Sequence, residues 1–500
     1  MVSYLRKAVS GMAISFIISI AASLVSYLTR IVLARNLTTT EYGLFYAVWT
    51  VVIFFLFFRD LGLQEALVKH IAEFKVTDKL QTIKTALVSA FILQIMGSLL
   101  LALAFFFLAD FLSIHYFKDP RASLLLKIMI FYVIFSVLFK VIKGFFQGFQ
   151  RMFIYSSIEL SKNILLLFFI LLFSWLGFGI TAPAWAYALV CIVLFIIYLP
   201  PLLKTYNFFQ YKVEKIKDVS HRLLSFGIPS FATQIGGRII GYLDTLFLTH
   251  FRTLQEVGIY NAVLPSALML LFVGRTAGSV LLPMSTELWA KKDIKRLVKG
   301  IHLMHRYLFI FIAPIIAILF IFAEFFMTAF FGLEYAAGAK AFQTILIGTF
   351  FFIMAMMDNN IISGMGKPKT VTKIIFLAAL TNAIINIFLI PLWGIEGAAL
   401  ATTLSYILVW AISLYKLTCY VPLKVPFKHW LTALLPLIAF CIVILAISEI
   451  LSLNLWLELL ISSFFGSLLY LFLSYLFGTI NFQEIKQYTK LIFKNKDESL

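Results

Sequence analysis

Four arginines lie inside long apolar stretches of this 500-residue chain, where a permanent charge has no bulk water around it. They are Arg30, Arg59, Arg238 and Arg275, and each falls within or at the edge of a segment long enough to cross a membrane. An ionisable group in such a place is expensive unless it faces a polar cavity or a partner. A guanidinium presents a planar fork of donors that matches phosphate geometry. The pattern therefore predicts a site for an anionic group within the membrane.

Two of these arginines belong to polar stripes on otherwise apolar helices. The stripes consist of Ser23, Ser26, Tyr27 and Arg30 in one segment, and of Gln234, Arg238, Asp244 and Thr245 in another. Residues three and four apart share a helix face, so each stripe faces one way. We expect Arg30 and Arg238 to line a shared, positively charged cavity. Asp244 and Asp60 are the candidate cavity partners or coupling residues, with Asp244 expected to pair with an arginine rather than to bind a cation.

Arg59 and Arg275 admit two interpretations. Both lie late in their segments, and Arg59 opens the run RDLGLQEALVKHIAE, so either side chain can reach the headgroup region or pair locally. Either can equally line the cavity, because the two positions are almost equivalent in the repeat described below. Lys127, near the start of its segment, is expected to reach the membrane surface.

The sequence contains few motifs for metal binding, thiol chemistry or nucleotide hydrolysis. The three cysteines, Cys191, Cys419 and Cys441, are far apart in apolar runs and lack a C-x-x-C spacing. His302 and His305 stand beside Arg306 without carboxylate or thiol companions at metal spacing, which favours a basic membrane interface over a metal site. No Walker A motif occurs in the sequence. We therefore expect no cofactor, no metal and no enzymatic activity.

Composition places the chain in the membrane. It is 62% hydrophobic and only 13% charged, whereas a soluble domain is about half apolar and about a quarter charged. The first apolar run exceeds the length of a signal-peptide core and ends in Arg30 and Arg35 rather than a cleavage site, so we expect it to remain as the first span.

An internal repeat organises the sequence. Residues 27–48 align without gaps with residues 242–263, an offset of 215, and eight of the 22 pairs are identical. The same offset aligns Gly179 and Ile180 with Gly394 and Ile395. Arg59 and Arg275 are offset by 216. A duplication of this kind is typical of membrane transporters.

The predicted fold is an all-α polytopic membrane protein with fourteen transmembrane helices, arranged as two parallel six-helix repeats and two C-terminal helices. The predicted domains are an N-lobe at 1–203, a cytoplasmic linker at 204–222, a C-lobe at 223–420, and helices 13 and 14 with a cytoplasmic tail at 421–500. The predicted spans are 9–34, 43–63, 83–109, 123–146, 157–176, 180–200, 223–250, 258–285, 301–323, 341–363, 370–391, 396–418, 428–449 and 455–478.

The distribution of lysine and arginine predicts the orientation. Alternate connections and the two termini carry 31 of these residues, and the opposite connections carry five. Cytoplasmic loops carry the excess of positive charge, so both termini are expected on the cytoplasmic side of the cell membrane. The net charge of +18 is then explained by the membrane topology and by attraction to anionic lipids. Nucleic acid is not an expected partner.

Several segments resemble a known family. The first span closes in TRIVLARNLTTTEYGLF, the second in RDLGLQEALVKHIAE, and GFFQGFQRM separates spans 4 and 5. Their order and spacing resemble the polysaccharide-biosynthesis branch of the multidrug/oligosaccharidyl-lipid/polysaccharide flippase superfamily. The resemblance implies two six-helix lobes around a cavity that opens alternately to the two membrane faces. It also implies that Arg30, Arg59 and Arg275 bind the anionic headgroup, while Arg238 rests on the cavity argument alone.

The implied function is an alternating-access flippase that moves polyprenyl-phosphate- or pyrophosphate-linked oligosaccharide to the outer leaflet for assembly of surface polysaccharide or glycan. Its partners would be that lipid-linked glycan, membrane lipids and glycan polymerase or transferase machinery, and a monomer is expected. A cation-coupled drug antiporter of the same superfamily is the alternative, which Asp244 keeps open. A membrane glycan polymerase or ligase is disfavoured by the short outer connections.

Overall fold

The computed structural model describes residues 2–423, 427–450 and 454–480; the side chains of residues 2–14 and of a few other helical positions, Arg238 among them, lie outside that description. The described chain is helical, with two short 3₁₀ turns and no strand. The helices are α1 Val2–Asn36, α2 Thr39–Asp60, α3 Leu63–Val76, α4 Leu80–His115, α5 Arg121–Gly148, α6 Met152–Trp175, α7 Ala182–Thr205, α8 Ile216–Phe251, α9 Leu254–Leu268, α10 Leu271–Ala290, α11 Ile294–Ile321, α12 Ala323–Phe331, α13 Ala339–Gly364, α14 Pro368–Tyr420, α15 Phe427–Ile450 and α16 Leu455–Leu476.

Twelve segments of the described chain are long and apolar enough to cross a membrane. The predicted spans 370–391 and 396–418 both fall in α14, whose backbone leaves the helical region at Gly394. The predicted span 223–250 falls in α8, which is described only in part. The all-helical, multi-span membrane fold is therefore confirmed, and the count of fourteen spans stays a prediction.

Contacts divide the chain into two compact units. The first comprises Met1–Ala262, Phe330–Tyr335 and Ala383–Ala398, and the second comprises Val263–Ala329, Ala336–Asn382 and Ala399–Leu500. In the first, α4 packs on α5, α1 on α6 and α5 on α7, and α8 contacts α2, α3 and α4. In the second, α10 packs on α13, and α15 packs on α11 and α16. The predicted domain boundaries stay predictions, and the predicted tail after residue 480 lies outside the described residues.

The repeat is visible in how two equivalent helices begin. At α2, the Thr38 side chain accepts a hydrogen bond from the backbone N–H of Glu41, and the Glu41 carboxylate accepts one from the backbone N–H of Thr38. At α9, the Thr253 hydroxyl accepts a hydrogen bond from the backbone N–H of Glu256 in the same way. Capping side chains satisfy backbone donors that the first helical turn leaves without partners. Threonine and glutamate at this spacing therefore fix both helix starts.

Two equivalent glycines bring these helix starts into backbone contact. A Cβ atom on Gly43 would lie 1.8 Å from the carbonyl oxygen of Leu254, and one on Gly258 would lie 2.2 Å from the carbonyl oxygen of Thr39. Thr39 and Leu254 are themselves related by the 215-residue offset. The contact is therefore reciprocal, and only glycine permits it on either side.

A second pair of repeat-equivalent glycines shares an unusual backbone conformation. Gly179 precedes α7 with a φ of 53°, and Gly394 interrupts α14 with a φ of 54°. Residues with a side chain rarely adopt this left-handed region. Each copy of the repeat therefore uses a glycine at the same position to turn the chain before its last helix.

A histidine and an aspartate form a buried pair in the second unit. Nδ1 of His305, on α11, lies 3.0 Å from the backbone carbonyl oxygen of Ile301, so Nδ1 carries a proton and donates. Nε2 lies 3.0 Å from Oδ1 of Asp358 on α13, and neither side chain is exposed. The sequence-based placement of His305 at a basic interface is wrong, because its partner comes 53 residues later and no local spacing reveals it.

We expect Gly43→Ala to destabilise the protein by about 1–3 kcal/mol, because the new methyl group overlaps a backbone carbonyl that cannot rotate away. The measurement is the midpoint of thermal unfolding in lipid nanodiscs. Gly241→Ala is the matched control, since a Cβ atom there meets no heavy atom within 4 Å. Equal midpoints for the two variants would contradict the proposed helix contact.

We expect His305→Ala to lower the free energy of unfolding by about 3–5 kcal/mol, because it leaves a buried carboxylate without its partner. The double variant His305→Leu/Asp358→Leu should recover most of that loss, since both buried polar groups are then gone. His302→Ala serves as the control, because His302 is partly exposed on the same helix. An additive double-variant cycle would show that the two side chains do not stabilise each other.

Candidate functional site

Arg30 of α1 lies in a cradle of neutral groups. Its guanidinium carbon is 4.7 Å from the centroid of the Tyr46 ring, and Nη1 donates to the backbone carbonyl oxygen of Asn261 at 3.3 Å. The Tyr42 ring lies beside the Tyr46 ring, with the two centroids 4.6 Å apart. Among the described residues, no carboxylate forms an ion pair with Arg30. The aromatic rings and the carbonyl hold the guanidinium in place without neutralising it.

The cradle is assembled by the reciprocal helix contact. Tyr46 on α2 and Asn261 on α9 are related by the 215-residue offset, so Arg30 touches the same position in both copies of the repeat. Each lies three residues beyond its contact glycine, Gly43 or Gly258. The backbone contact therefore sets the distance between the two groups that hold Arg30.

Arg59, in the last turn of α2, points into the first unit and is only 7% exposed. Its Nη1 donates to the Ser98 hydroxyl at 2.7 Å, to the carbonyl oxygen of Val133 at 3.2 Å and to the Ser136 hydroxyl at 3.3 Å. These acceptors belong to α4 and α5 and are all neutral. The side chain of Arg59 is thus buried against α4 and α5, and the choice between the cavity and the headgroup region stays a prediction.

Two nitrogens of the Arg59 guanidinium have unsatisfied hydrogen-bonding capacity. Nε and Nη2 are buried without a hydrogen-bond partner in the described chain. A cavity of about 520 Å³ adjoins the side chain and is otherwise lined by apolar residues such as Phe58, Leu93 and Leu224. A buried donor without an acceptor is unfavourable, so the site has an unmet requirement for an acceptor group.

Asp60 does not neutralise Arg59 through a hydrogen bond. Its carboxylate accepts from Lys140 Nζ and Gln94 Nε2, each at 3.4 Å. Lys140 lies within α5, inside the predicted span 123–146. Lys127 forms an ion pair with Asp110 of α4 at 3.1 Å, and its position at the membrane surface stays a prediction.

A neighbouring cluster of charged residues joins α5 to α6. The carboxylate of Glu159 binds Lys143, on α5, and Lys162, the latter at 2.6 Å. Asn163 donates to the carbonyl oxygen of Ala22 at 2.7 Å and so ties α6 to α1. Two lysines share one carboxylate, which leaves this cluster with a net positive charge.

Asp244 of α8 is almost completely buried, at 1% exposed. Its carboxylate accepts hydrogen bonds from Tyr260 Oη at 2.5 Å and from Asn386 Nδ2 at 2.7 Å. The next residue, Thr245, bonds the side chain of Asn261, whose carbonyl holds Arg30. Asp244 is therefore linked to Arg30 through its neighbour Thr245 and through Asn261, in contacts that join α8, α9 and α1.

The remaining two predicted arginines, Arg238 and Arg275, stay predictions as site residues. The side chain of Arg238 lies outside the described residues. Arg275, on α10, belongs to the second unit, and its side chain is exposed. Within the described part of the chain, no group of three or more His, Cys, Asp or Glu residues is arranged to hold a metal ion.

Two family models match the chain. One, described as polysaccharide biosynthesis protein, matches residues 8–289, and the other, described as MatE, matches residues 229–388. The first range contains all four predicted arginines, and the second contains Asp244.

Two archaeal proteins are similar to the chain in sequence, and one solved structure is similar to it in fold. An uncharacterised membrane protein of Methanocaldococcus jannaschii is 29% identical over 98% of this chain and 100% of its own length. A protein of Haloferax volcanii named as a probable low-salt glycan biosynthesis flippase is 22% identical, over 54% of this chain and 57% of its own. The structure of the lipid II flippase MurJ in an inward closed conformation superposes with a TM-score of 0.75 at 18% identity, covering 92% of this chain and 98% of that one.

The likeness to the solved flippase shows the fold, and the family follows from the sequence models. Because the polysaccharide biosynthesis model matches more than half of its length, the chain belongs to that family, within the multidrug/oligosaccharidyl-lipid/polysaccharide flippase superfamily.

Proposed function

We propose that the protein is a flippase that moves a polyprenyl-phosphate- or pyrophosphate-linked oligosaccharide from the cytoplasmic to the outer leaflet by alternating access. The activity is transport rather than catalysis. Arg30 and Arg59 bind the anionic headgroup in the first unit. Arg238 and Arg275 also bind it during the transport cycle. The proposal takes both termini as cytoplasmic, in keeping with the excess of lysine and arginine on that side.

The observation that carries the proposal is the charge of Arg30. A guanidinium within a membrane span needs a counter-charge or a polar cavity. Its described neighbours are tyrosine rings and one carbonyl oxygen, and none of them is negatively charged. An anionic ligand is the group that completes such a site.

Phosphate chemistry suits both arginines. A phosphate or pyrophosphate offers several oxygens that accept parallel hydrogen bonds from one guanidinium, and these bonds are strong where water is scarce. Nε and Nη2 of Arg59 form one edge of its fork and have no acceptor in the described chain. That edge is the geometry a phosphate group can engage in a two-pronged manner.

The names of similar proteins agree with this substrate class. The Haloferax protein is named for glycan biosynthesis and as a flippase, and the structurally similar protein is a flippase for lipid II. One name refers to glycan biosynthesis, the other to a lipid, and both names contain the word flippase. They support, for this chain, a substrate with a phosphate-bearing headgroup and a sugar.

A cation-coupled antiporter is the second candidate, and one observation favours it. The MatE model covers Asp244, a buried carboxylate in a membrane span that accepts hydrogen bonds from Tyr260 and Asn386. Buried intramembrane carboxylates often bind the coupling ion in transporters. Under this alternative, Asp244 rather than Arg30 determines what is bound.

We expect Arg30→Ala to weaken binding of a synthetic polyprenyl-pyrophosphate-linked sugar by about 10- to 100-fold, since a hydrogen bond to a charged group contributes about 1.5–3 kcal/mol. Arg59→Ala and Arg275→Ala should weaken it as well. Binding is measured at equilibrium with purified protein in nanodiscs, and a hydrophobic organic cation is added as competitor. The cation should have no effect.

Arg35→Ala is the matched control, because Arg35 lies five residues later on α1 and donates to the carbonyl oxygen of Phe330. Its affinity for the glycolipid should stay within about twofold of wild type, well under the tenfold that corresponds to 1.4 kcal/mol. If the cation binds instead, and Asp244→Asn removes that binding while the arginine variants do not, the antiporter replaces the flippase.

A further inference from the structure

Three aromatic side chains from three helices meet beside the cradle of Arg30. Trp49 of α2 and Tyr187 of α7 have ring centroids 4.0 Å apart at an interplanar angle of 32°. Tyr132 of α5 lies 5.1 Å from the Trp49 ring and 5.7 Å from the Tyr187 ring. We call these three residues the aromatic triad. Each of them is partly buried and retains some exposed surface.

The polar atoms of the triad are unused. Within the described chain, the hydroxyls of Tyr132 and Tyr187 and the indole N–H of Trp49 make no hydrogen bond. Trp49 lies at the middle of α2, away from the helix ends where tryptophan and tyrosine usually meet the headgroups. Donors in such a place are unfavourable against hydrocarbon, so this surface faces water or a polar ligand.

The residue types of the triad also favour a surface that faces water or a polar ligand. The chain contains 54 phenylalanines, 21 tyrosines and eight tryptophans, so phenylalanine is its usual apolar aromatic. All three positions of the triad instead carry an aromatic with a polar handle. Such side chains offer a flat apolar face together with a hydrogen-bonding edge.

The triad lies next to the aromatic residues that adjoin Arg30. Tyr46, whose ring lies against Arg30, is one helical turn before Trp49. The Phe45 ring connects them, because its centroid is 5.2 Å from that of Tyr46, 6.4 Å from that of Trp49 and 6.2 Å from that of Tyr187. A ligand that places a phosphate at Arg30 therefore has its next chemical group near these rings.

The chemistry of the matching ligand is specific. A sugar ring presents a face of C–H groups that stacks on an aromatic ring, and its hydroxyls form hydrogen bonds at the edge. In a polyprenyl-phosphate-linked glycan the first sugar is bonded directly to the phosphate. Binding sites for such mixed ligands combine aromatic walls with a few well-placed polar groups.

We propose that the aromatic triad is a subsite for the sugar attached to the phosphate held by Arg30, with Trp49 stacking on the ring and the two tyrosines bonding its hydroxyls. The inference rests on the proposed flippase function and adds to it a basis for recognising the glycan. Arg30 binds the charge common to all such lipids, and the triad distinguishes a lipid that carries sugar from one that does not.

The test compares two probes on the same protein: a polyprenyl pyrophosphate without sugar, and the same lipid carrying a single glucose. Trp49→Leu should weaken binding of the glucose-bearing lipid about tenfold, as loss of one stacking platform does, and leave the sugar-free lipid within about twofold. The double variant Tyr132→Phe/Tyr187→Phe keeps the rings and removes only the hydroxyls. It should reduce the same preference without altering the unfolding midpoint.

Matched controls come from exposed positions. Trp175→Leu and Tyr415→Phe change side chains that are 83% and 63% exposed, and they should affect neither probe. An equal loss of both probes in Trp49→Leu would overturn the sugar subsite and leave the triad as a support for Arg30. Wild-type protein that binds both probes equally would also overturn it while leaving the flippase proposal intact. If wild-type protein binds neither probe, the proposed function itself fails.

Discussion

The backbone contact between Gly43 and Gly258 is the constraint on which the described site depends. It brings the starts of α2 and α9 closer than any side chain would allow, and so places Tyr46 and Asn261 on either side of Arg30. Helices in a membrane gain little from burying apolar surface against each other, because lipid is equally apolar. Close approach and polar contacts have to supply the specificity instead, and this junction supplies both.

Much of the fold follows from the sequence because its signals are local or periodic. Apolar length predicts the spans, and the 215-residue offset predicts equivalent structures such as the caps at Thr38 and Thr253. The partners of charged residues are harder to predict, because they come from distant segments. Ser98 and Ser136 have no pattern that marks them as acceptors for Arg59, and Asp358 gives no sign that it faces His305. The arginines can therefore be identified from sequence, whereas the groups that hold them cannot.

The structure separates two kinds of buried charge. His305 and Asp358 compensate each other, and Asp244 accepts hydrogen bonds from Tyr260 and Asn386, so these groups contribute to the packing of the helices around them. Arg30 and Arg59 donate hydrogen bonds to neutral acceptors, so these contacts do not neutralise their positive charges. In a medium of low dielectric constant an uncompensated charge acts over a longer range than in water. The first unit thus attracts anions, because the positive charges of Arg30 and Arg59 are not neutralised by ion pairs within the described part of the fold.

The reciprocal glycine contact is also relevant to the evolution of a chain with two repeats. A single copy of the repeat carrying Gly43 presents the self-complementary surface that a two-fold homodimer requires. Such a dimer would place two copies of Arg30 and two of Tyr46 about its axis, and the paired like charges would repel. In the fused chain the equivalent positions are Thr245 and Asn261. Duplication followed by divergence therefore leaves a single arginine at this contact, which a symmetric assembly of identical subunits cannot do.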